Sequence, residues 1–483
     1  MIKNTTYNTP FGRLIKTQKN NYYYDVNTNN IIGISDNLYC YLTQLLFSNA
    51  DKNDISQATQ EEYEKLQMLG LINFGRPKEI EMPETDMLPY FLENRLSGIT
   101  LQVTQQCNFR CSYCKYTYSD DTKNHSHKNQ QMSWETAKKA IDFLAMRVRD
   151  TTKINIGFYG GEPLMNYSLI KKCISYCNDI FLDKRVTYSM TTNGSLLTKE
   201  NVKYLIDNNV KITVSLDGPK EIHDRNRKNA KTGEGTFDVI HNKLLSLLQG
   251  MPEYYKKIRF NSVIDPINDG KRINNFFTDE LFENNAVHTP LMEMHGQGRL
   301  FFSEKYIKEY NKDILLILLV KSGFFDPSCL TKIAYSNYDL LGKFEKKYKN
   351  IQGLPYLVGA GGTCKPGVLK LFVTVDEKLF PCEKANDCSN VLQIGSLSSG
   401  FEFDKAKQLY NMNGLIKERC KNCWALLLCS ICPIRIEDGA ELSKDLLTSE
   451  CVTERRIIER YLKYLLLVEE GKKALMEGGE YGK

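Results

Sequence analysis

The sequence predicts an α/β chain built around a partial (β/α)6 TIM-like barrel, and three observations predict it. From about Gly98 onward, short apolar runs alternate with amphipathic stretches, which is how parallel strand-helix units read. Glycine-rich and polar clusters fall where the strands end, the side on which barrels of this kind gather their sites. Three closely spaced cysteines follow directly on the first strand.

Strands are predicted at Gly98–Val103, Lys153–Tyr159, Val186–Thr192, Lys211–Leu216, Ile258–Ile264 and Val287–Met294. Between them Trp134–Arg149, Tyr167–Leu182, Lys199–Asn208 and Phe237–Leu248 carry apolar residues at helical spacing. Ahead of the barrel, Tyr22–Val26 and Ile31–Ile34 pair across a turn of Asn27, Thr28, Asn29 and Asn30. A helix at Asp36–Phe47 follows, capped by Ser35 or Asp36, and then one from Gln60 to Leu69 that stops at Gly70. Pro77–Pro89, acidic and with three prolines, reads as a linker. The resulting division is 1–85, a barrel at 95–300, a helical bridge at 301–360, a cysteine-rich region at 361–455 and a C-terminal helix and tail at 456–483.

Composition narrows the class. The chain has 483 residues, 42% hydrophobic and 25% charged, as soluble globular proteins do. The longest apolar run, Ile314–Val320, is far too short for a membrane span, and no leader follows Met1, so a cytoplasmic protein is expected. A formal charge of +6 spread over this length is no nucleic-acid footprint, though it suits a mildly anionic partner. Fifteen cysteines point to metal or redox chemistry rather than disulfides.

The triplet is Cys107, Cys111 and Cys114, spaced C-x3-C-x2-C. Three thiolates on an iron-sulfur cubane leave one iron open, whereas zinc prefers four ligands in C-x2-C pairs. With Tyr113 just before the last cysteine, the run resembles the radical S-adenosylmethionine (SAM) enzymes. The resemblance implies a [4Fe-4S] cluster whose open iron holds S-adenosyl-L-methionine. It implies reductive cleavage of that cofactor to a 5'-deoxyadenosyl radical.

The later strand ends carry the rest of the resemblance. Gly160-Gly161-Glu162-Pro163, about fifty residues beyond the triplet, is similar to the turn whose backbone binds the methionyl amino group. Asn193, Ser215 and Asp217 close the third and fourth strands, with Arg227 a few residues on. The resemblance gives Ser215 the cofactor's polar groups, Arg227 its carboxylate and Tyr113 its adenine. Asn193 and Asp217 bind the cofactor or only turn the backbone. His223 reads as structural, and His125 and His127 as solvated loop residues.

Cys364, Cys382, Cys388, Cys420, Cys423, Cys429, Cys432 and Cys451 form a second array, for which two zinc sites compete with iron-sulfur clusters on spacing alone. Beside a radical SAM core the array resembles a C-terminal SPASM domain with two auxiliary [4Fe-4S] clusters. That resemblance assigns Cys364, Cys382 and Cys432 to the first cluster and Cys420, Cys423, Cys429 and Cys451 to the second. Cys388 completes the first cluster or leaves it with an open iron. Two departures bear on loop geometry: Cys429 and Cys432 are separated by two residues rather than three, and Glu377 stands where a glycine is expected. Cys173 and Cys177 share a helix face and read as core thiols.

The N-terminal hairpin and helices resemble the small winged-helix domains that bind leader segments of precursor peptides by adding a strand, the alternative being a structural cap. The implied activity is a radical SAM peptide maturase that abstracts hydrogen from a ribosomally made precursor and forms a Cys sulfur-to-carbon thioether. A carbon-carbon crosslink would use the same machinery. A flavodoxin- or ferredoxin-type reductant is implied as a partner, and neither nucleic acid nor membrane. The alternative is an anaerobic sulfatase-maturating enzyme forming formylglycine. There an aspartate base after an auxiliary-cluster cysteine corresponds to Glu383, which is a general base or a surface ion-pair partner. A non-enzymatic electron carrier would not need the Gly160–Pro163 turn or Arg227.

Overall fold

The computed structural model describes residues 9–47, 56–114, 127–292, 301–348 and 351–480. His125 and the end of the last predicted strand, at Met294, lie outside the described residues.

The N-terminal strands are β1 (Gly12–Lys16), β2 (Asn21–Asp25) and β3 (Asn30–Ile34), followed by the short β4 (Glu79–Ile80). Barrel-region strands are β5 (Gly98–Thr104), β6 (Phe109–Cys111), β7 (Lys153–Gly160), β8 (Arg185–Thr192), β9 (Val210–Ser215), β10 (Arg227–Asn229), β11 (Arg259–Asn261) and β12 (Val287–His288). The C-terminal strands are β13 (Leu357–Val358), β14 (Leu371–Val373), β15 (Lys378–Phe380), β16 (Gly395–Ser396) and β17 (Gly400–Phe401).

The molecule is mixed α/β with one large, mostly parallel sheet. Its ten strands run in the order β12-β11-β9-β8-β7-β5-β14-β15-β16-β17. Six of them, β5 to β12, follow chain order. Right-handed crossovers therefore carry the connecting helices to a single face, the arrangement a partial barrel needs. The apolar residues of each strand face those helices: Leu101, Phe158, Met190, Ile212 and Phe260 are all buried. Helices Trp134–Ala145, Tyr167–Ile180, Lys199–Asp207 and Phe237–Gly250 lie where the apolar periodicity puts them. Ser133 and Thr198 cap two of them, each accepting a backbone N–H of the first turn.

Two features were not legible in the sequence. The sheet does not stop at the barrel: β14 pairs in parallel with β5, Phe372 opposite Thr100, so the cysteine-rich region extends the same sheet. The N-terminal sheet also has a third strand, β1, paired antiparallel with β2. This unit docks on the long helix Lys444–Glu480 through Arg13 with Glu459 and through Thr17, Asn20 and Tyr22, which all donate to Glu470. No helix among the described residues is long and apolar enough to cross a membrane.

Candidate active site

The triplet leaves β5 at its C-terminal end and is stitched to the far side of the site. Cys111 lies opposite Arg227 in the antiparallel β6–β10 pair, and the Ser112 amide donates to the Asn226 carbonyl at 2.9 Å. Sequence reading missed this pairing because three-residue strands carry no periodicity. Burial pushes the Cys107 thiol up to about 12 and that of Cys111 to about 11, and Cys111 and Cys114 add to the effect on Cys107. Arg227 works the other way on Cys111, its Nη1 standing 3.9 Å from the sulfur. Three interacting, half-buried thiols fit a cluster that supplies the positive charge their thiolates need.

The glycine turn lies against the approach to the triplet. Gly160 has φ +133° and Gly161 presses on Gln106; a Cβ on either would fall about 2 Å from a carbonyl oxygen, of Thr104 and Gln106 respectively. The Gly161 and Glu162 amides donate to those same two carbonyls, each at 2.8 Å. Glu162 is buried, and its carboxylate accepts from the Asn193 amide and the Thr192 hydroxyl at 2.7 Å and from the Leu164 amide at 3.1 Å. Pro163 opens the short 3-10 turn that follows. Glu162 therefore ties the second and third strand ends together.

Arg227 and Asp217 form a buried ion pair, Nε at 2.9 Å and Nη2 at 3.2 Å from the carboxylate. The resemblance gave Arg227 to the cofactor's carboxylate and left Asp217 as a cofactor or turn residue. In the structure Arg227 already has a resident carboxylate, because a guanidinium this deeply buried needs a counter-charge. Tyr113, assigned to the adenine, donates its hydroxyl to Asp217 and lies under the Arg227 guanidinium at 5.5 Å. Asn193 is turned to the triplet loop, donating to Asn108 Oδ1 at 2.8 Å. Ser215 is buried at the end of β9.

Ser262 was missed in the sequence: it is buried one residue past β11, and its hydroxyl has no partner among the described residues. Its neighbour Val263 donates its amide to Asp217. Ser262 shares the face of Phe260, so its hydroxyl lies on the helix-covered side of the sheet. Its place at the end of the fifth barrel strand was the available signal. His223 is structural, its Nδ1 accepting from the Asp217 amide and its Nε2 meeting Thr236. His127 is half-buried, and burial lowers it to about 4, which corrects its reading as a solvated loop residue.

The C-terminal thiols fall into two groups. Cys420, Cys423, Cys429 and Cys451 act electrostatically on one another, and burial raises all four. Cys364, raised by burial and by Cys382, also acts on Cys432. Cys388 stands apart: the charges that act on it are Asp387, Lys128 and Lys378. Glu377 has φ +66°, so the position keeps the left-handed backbone of the expected glycine without the glycine. Glu383 pairs with Lys370 at 2.9 Å. Cys173 and Cys177 are fully buried core thiols.

Comparison with known proteins agrees with this geometry. The radical SAM superfamily model matches residues 101–242. A cysteine-type anaerobic sulfatase-maturating enzyme of Clostridium perfringens is 24% identical over 385 residues, 75% of this chain and 95% of that protein. The radical SAM cyclopropyl synthase TigE of Paramaledivibacter caminithermalis is 30% identical over 230 residues, 45% of this chain and 46% of that protein. An uncharacterized protein of Methanocaldococcus jannaschii is 38% identical over 147 residues, 30% of this chain and 46% of that protein, so the chain spans about half the length of these last two relatives. Among solved structures, native anSMEcpe with bound AdoMet has a TM-score of 0.56 at 20% identity, covering 77% of this chain and 99% of that one, which is a likeness of fold. Residues 101–242 hold the triplet, the glycine turn and the Asp217–Arg227 pair, and the chain is a radical SAM enzyme.

Proposed function

We propose that this enzyme matures a ribosomally made peptide, taking hydrogen from a carbon of the precursor and joining that carbon to a cysteine sulfur. The carrying observation is the placement of Tyr159. This half-buried phenol lies within electrostatic reach of Cys114 of the triplet and of both Cys382 and Glu383, so the two cysteine regions would border one interior. S-adenosyl-L-methionine and its [4Fe-4S] cluster would supply the 5'-deoxyadenosyl radical. Cys107, Cys111 and Cys114 would hold that cluster, and Ser215 and the Gly160–Gly161 backbone would line the cofactor.

Thioether formation removes two electrons in all, so a second acceptor is needed. Cys364, Cys382 and Cys432 would hold a first auxiliary [4Fe-4S] cluster for it, with one iron open because Cys388 faces other groups. Cys420, Cys423, Cys429 and Cys451 would hold the second. A flavodoxin- or ferredoxin-type protein would be the reductant.

The N-terminal sheet suits leader binding, because β3 is an edge strand. In an antiparallel ladder alternate residues face outward. Here the Ile31 amide is taken by the Tyr348 hydroxyl at 2.6 Å and the Ser35 amide by Glu62 at 3.0 Å, with exposed Gly33 between them. An added strand would start at Gly33 and displace those two contacts.

Formylglycine formation is the second reading, favoured by the match along 95% of the sulfatase-maturating enzyme and by Glu383 following Cys382. Glu383 would then leave Lys370 to act as base. The deciding experiment incubates reduced, anaerobically reconstituted enzyme with SAM and cysteine-containing peptides encoded beside its gene. Loss of two hydrogens with blockage of the thiol supports the thioether. Exchange of the cysteine sulfur for a carbonyl oxygen overturns it in favour of formylglycine.

A further inference from the structure

The parallel sheet has two faces of opposite character. The helix-covered face is aliphatic, whereas the register rows of the other face are polar. One row runs Gln102, Tyr159, Thr191, Thr213 and Arg259 across five adjacent strands, and Lys211 sits beside Ser189 in the row below. Closed barrels fill this interior with branched aliphatic side chains packed in layers. This row of hydroxyls, an amide and a cation is filled differently: Gln102, at its β5 end, is buried and donates to Asp387 at 2.6 Å, whereas Arg259, at its β11 end, is exposed.

The carboxylate that meets this row, Asp387, sits at the β5 end against Gln102, and the cations sit at the other end. Lys211 and Arg259 are exposed and have no ion pair among the described residues. Lys384, next to Glu383, is also exposed and unpaired among them, and its charge reaches His288 of β12 and Cys432. The neighbouring carboxylates are already committed, Glu383 to Lys370 at 2.9 Å and Asp339 to Lys343 at 2.6 Å. Exposed cations with no internal counter-charge are hydrated in the free protein and are available to attract an anionic ligand.

We infer that the polar face receives an acidic stretch of the substrate peptide, with aspartate or glutamate side chains flanking the modified residue and meeting Lys211 and Arg259. This rests on the peptide-maturase reading and adds to it the chemical class of the substrate. Lys384, across the interior beside the C-terminal thiols, would meet the same stretch from the other side.

The test is calorimetric titration of the full chain at low ionic strength with acetyl-Glu-Glu-Gly-Cys-Gly-Glu-Glu-amide and with its glutamine twin. The acidic peptide should bind roughly tenfold tighter, as two partly desolvated ion pairs allow. Replacing both cations, Lys211→Gln with Arg259→Gln, should reduce the preference to roughly twofold. Lys305→Gln with Lys308→Gln removes the same charge from the outer helix Glu304–Ser322 and should leave the preference intact. Equal binding of the twins to the parent enzyme overturns the acidic preference but leaves a peptide substrate standing, whereas binding of neither overturns both. A preference that survives the Lys211 and Arg259 changes overturns its location.

Discussion

The Asp217 carboxylate is the counter-charge of Arg227, gripped by Nε and Nη2 at 2.9 and 3.2 Å in a site where both side chains are buried. It also accepts the Tyr113 hydroxyl and the Val263 amide. One carboxylate thus joins the triplet loop, the end of β9, β10 and the segment after β11.

Removing it should be severe. Asp217→Ala strands a guanidinium in a dry site, and unfolding free energy should fall by about 3–5 kcal/mol. Replacing both partners with apolar residues, Asp217→Leu with Arg227→Met, should cost less than the single change. Urea titrations of the three proteins at neutral pH measure this, and equal losses would remove the pair from the account.

His223 gives the fold a defined acid limit. Burial and the nearby Arg227 lower it from 6.5 to about 4. Its Nδ1 accepts the Asp217 amide, so only the neutral ring fits. A base whose folded value is depressed gives its full stabilisation above the unfolded value and loses it as pH falls. Stability should therefore decline from about pH 6.5 towards pH 4, by up to about 3 kcal/mol from this group. In His223→Gln, which can still accept and donate, urea midpoints measured across that range should fall less steeply.

Glu377 spends conformational energy that glycine would not. At φ +66° a side chain costs about 1 kcal/mol, while its contact with half-exposed Lys139 returns only a few tenths. Glu377→Gly should thus raise stability by about 0.5–1 kcal/mol, read as a higher melting temperature. A lower one would mean that the Lys139 contact outweighs the backbone strain.

Iron content separates the C-terminal thiols. Three cubanes correspond to about twelve irons per chain after anaerobic reconstitution. Cys388→Ser should leave that number unchanged, since Cys388 faces Asp387, Lys128 and Lys378. Cys423→Ser should lower it by about four. Loss of iron in Cys388→Ser would return that residue to the first auxiliary site, and zinc without iron in the parent protein would refute the clusters altogether.

Much of the fold was legible because its signals are local. The helix at Asp36–Phe47 falls where its periodicity puts it, and Gly70 ends the next helix in the left-handed conformation a stop requires. The strand at Ile258–Ile264 pairs regularly over Arg259–Asn261, and its ladder to the next strand continues through Ser262 to a bridge between Ile264 and Leu291. The isolated pairings β6–β10 and β5–β14 left no trace, because a three-residue strand is defined by its partner rather than by its own pattern.

The sequence by itself determined the chemistry on offer: a cysteine triplet after a strand, a glycine turn, and a second thiol array, all fixed by spacing along one chain. Only the tertiary structure decided how those groups are used. It turned Arg227 onto Asp217, set the Cys388 thiol against Asp387, and left Lys211 and Arg259 without ion pairs among the described residues on the polar face of the sheet. Ion pairing and desolvation depend on which groups meet through space, and residues far apart in the chain carry no record of those distances in their order.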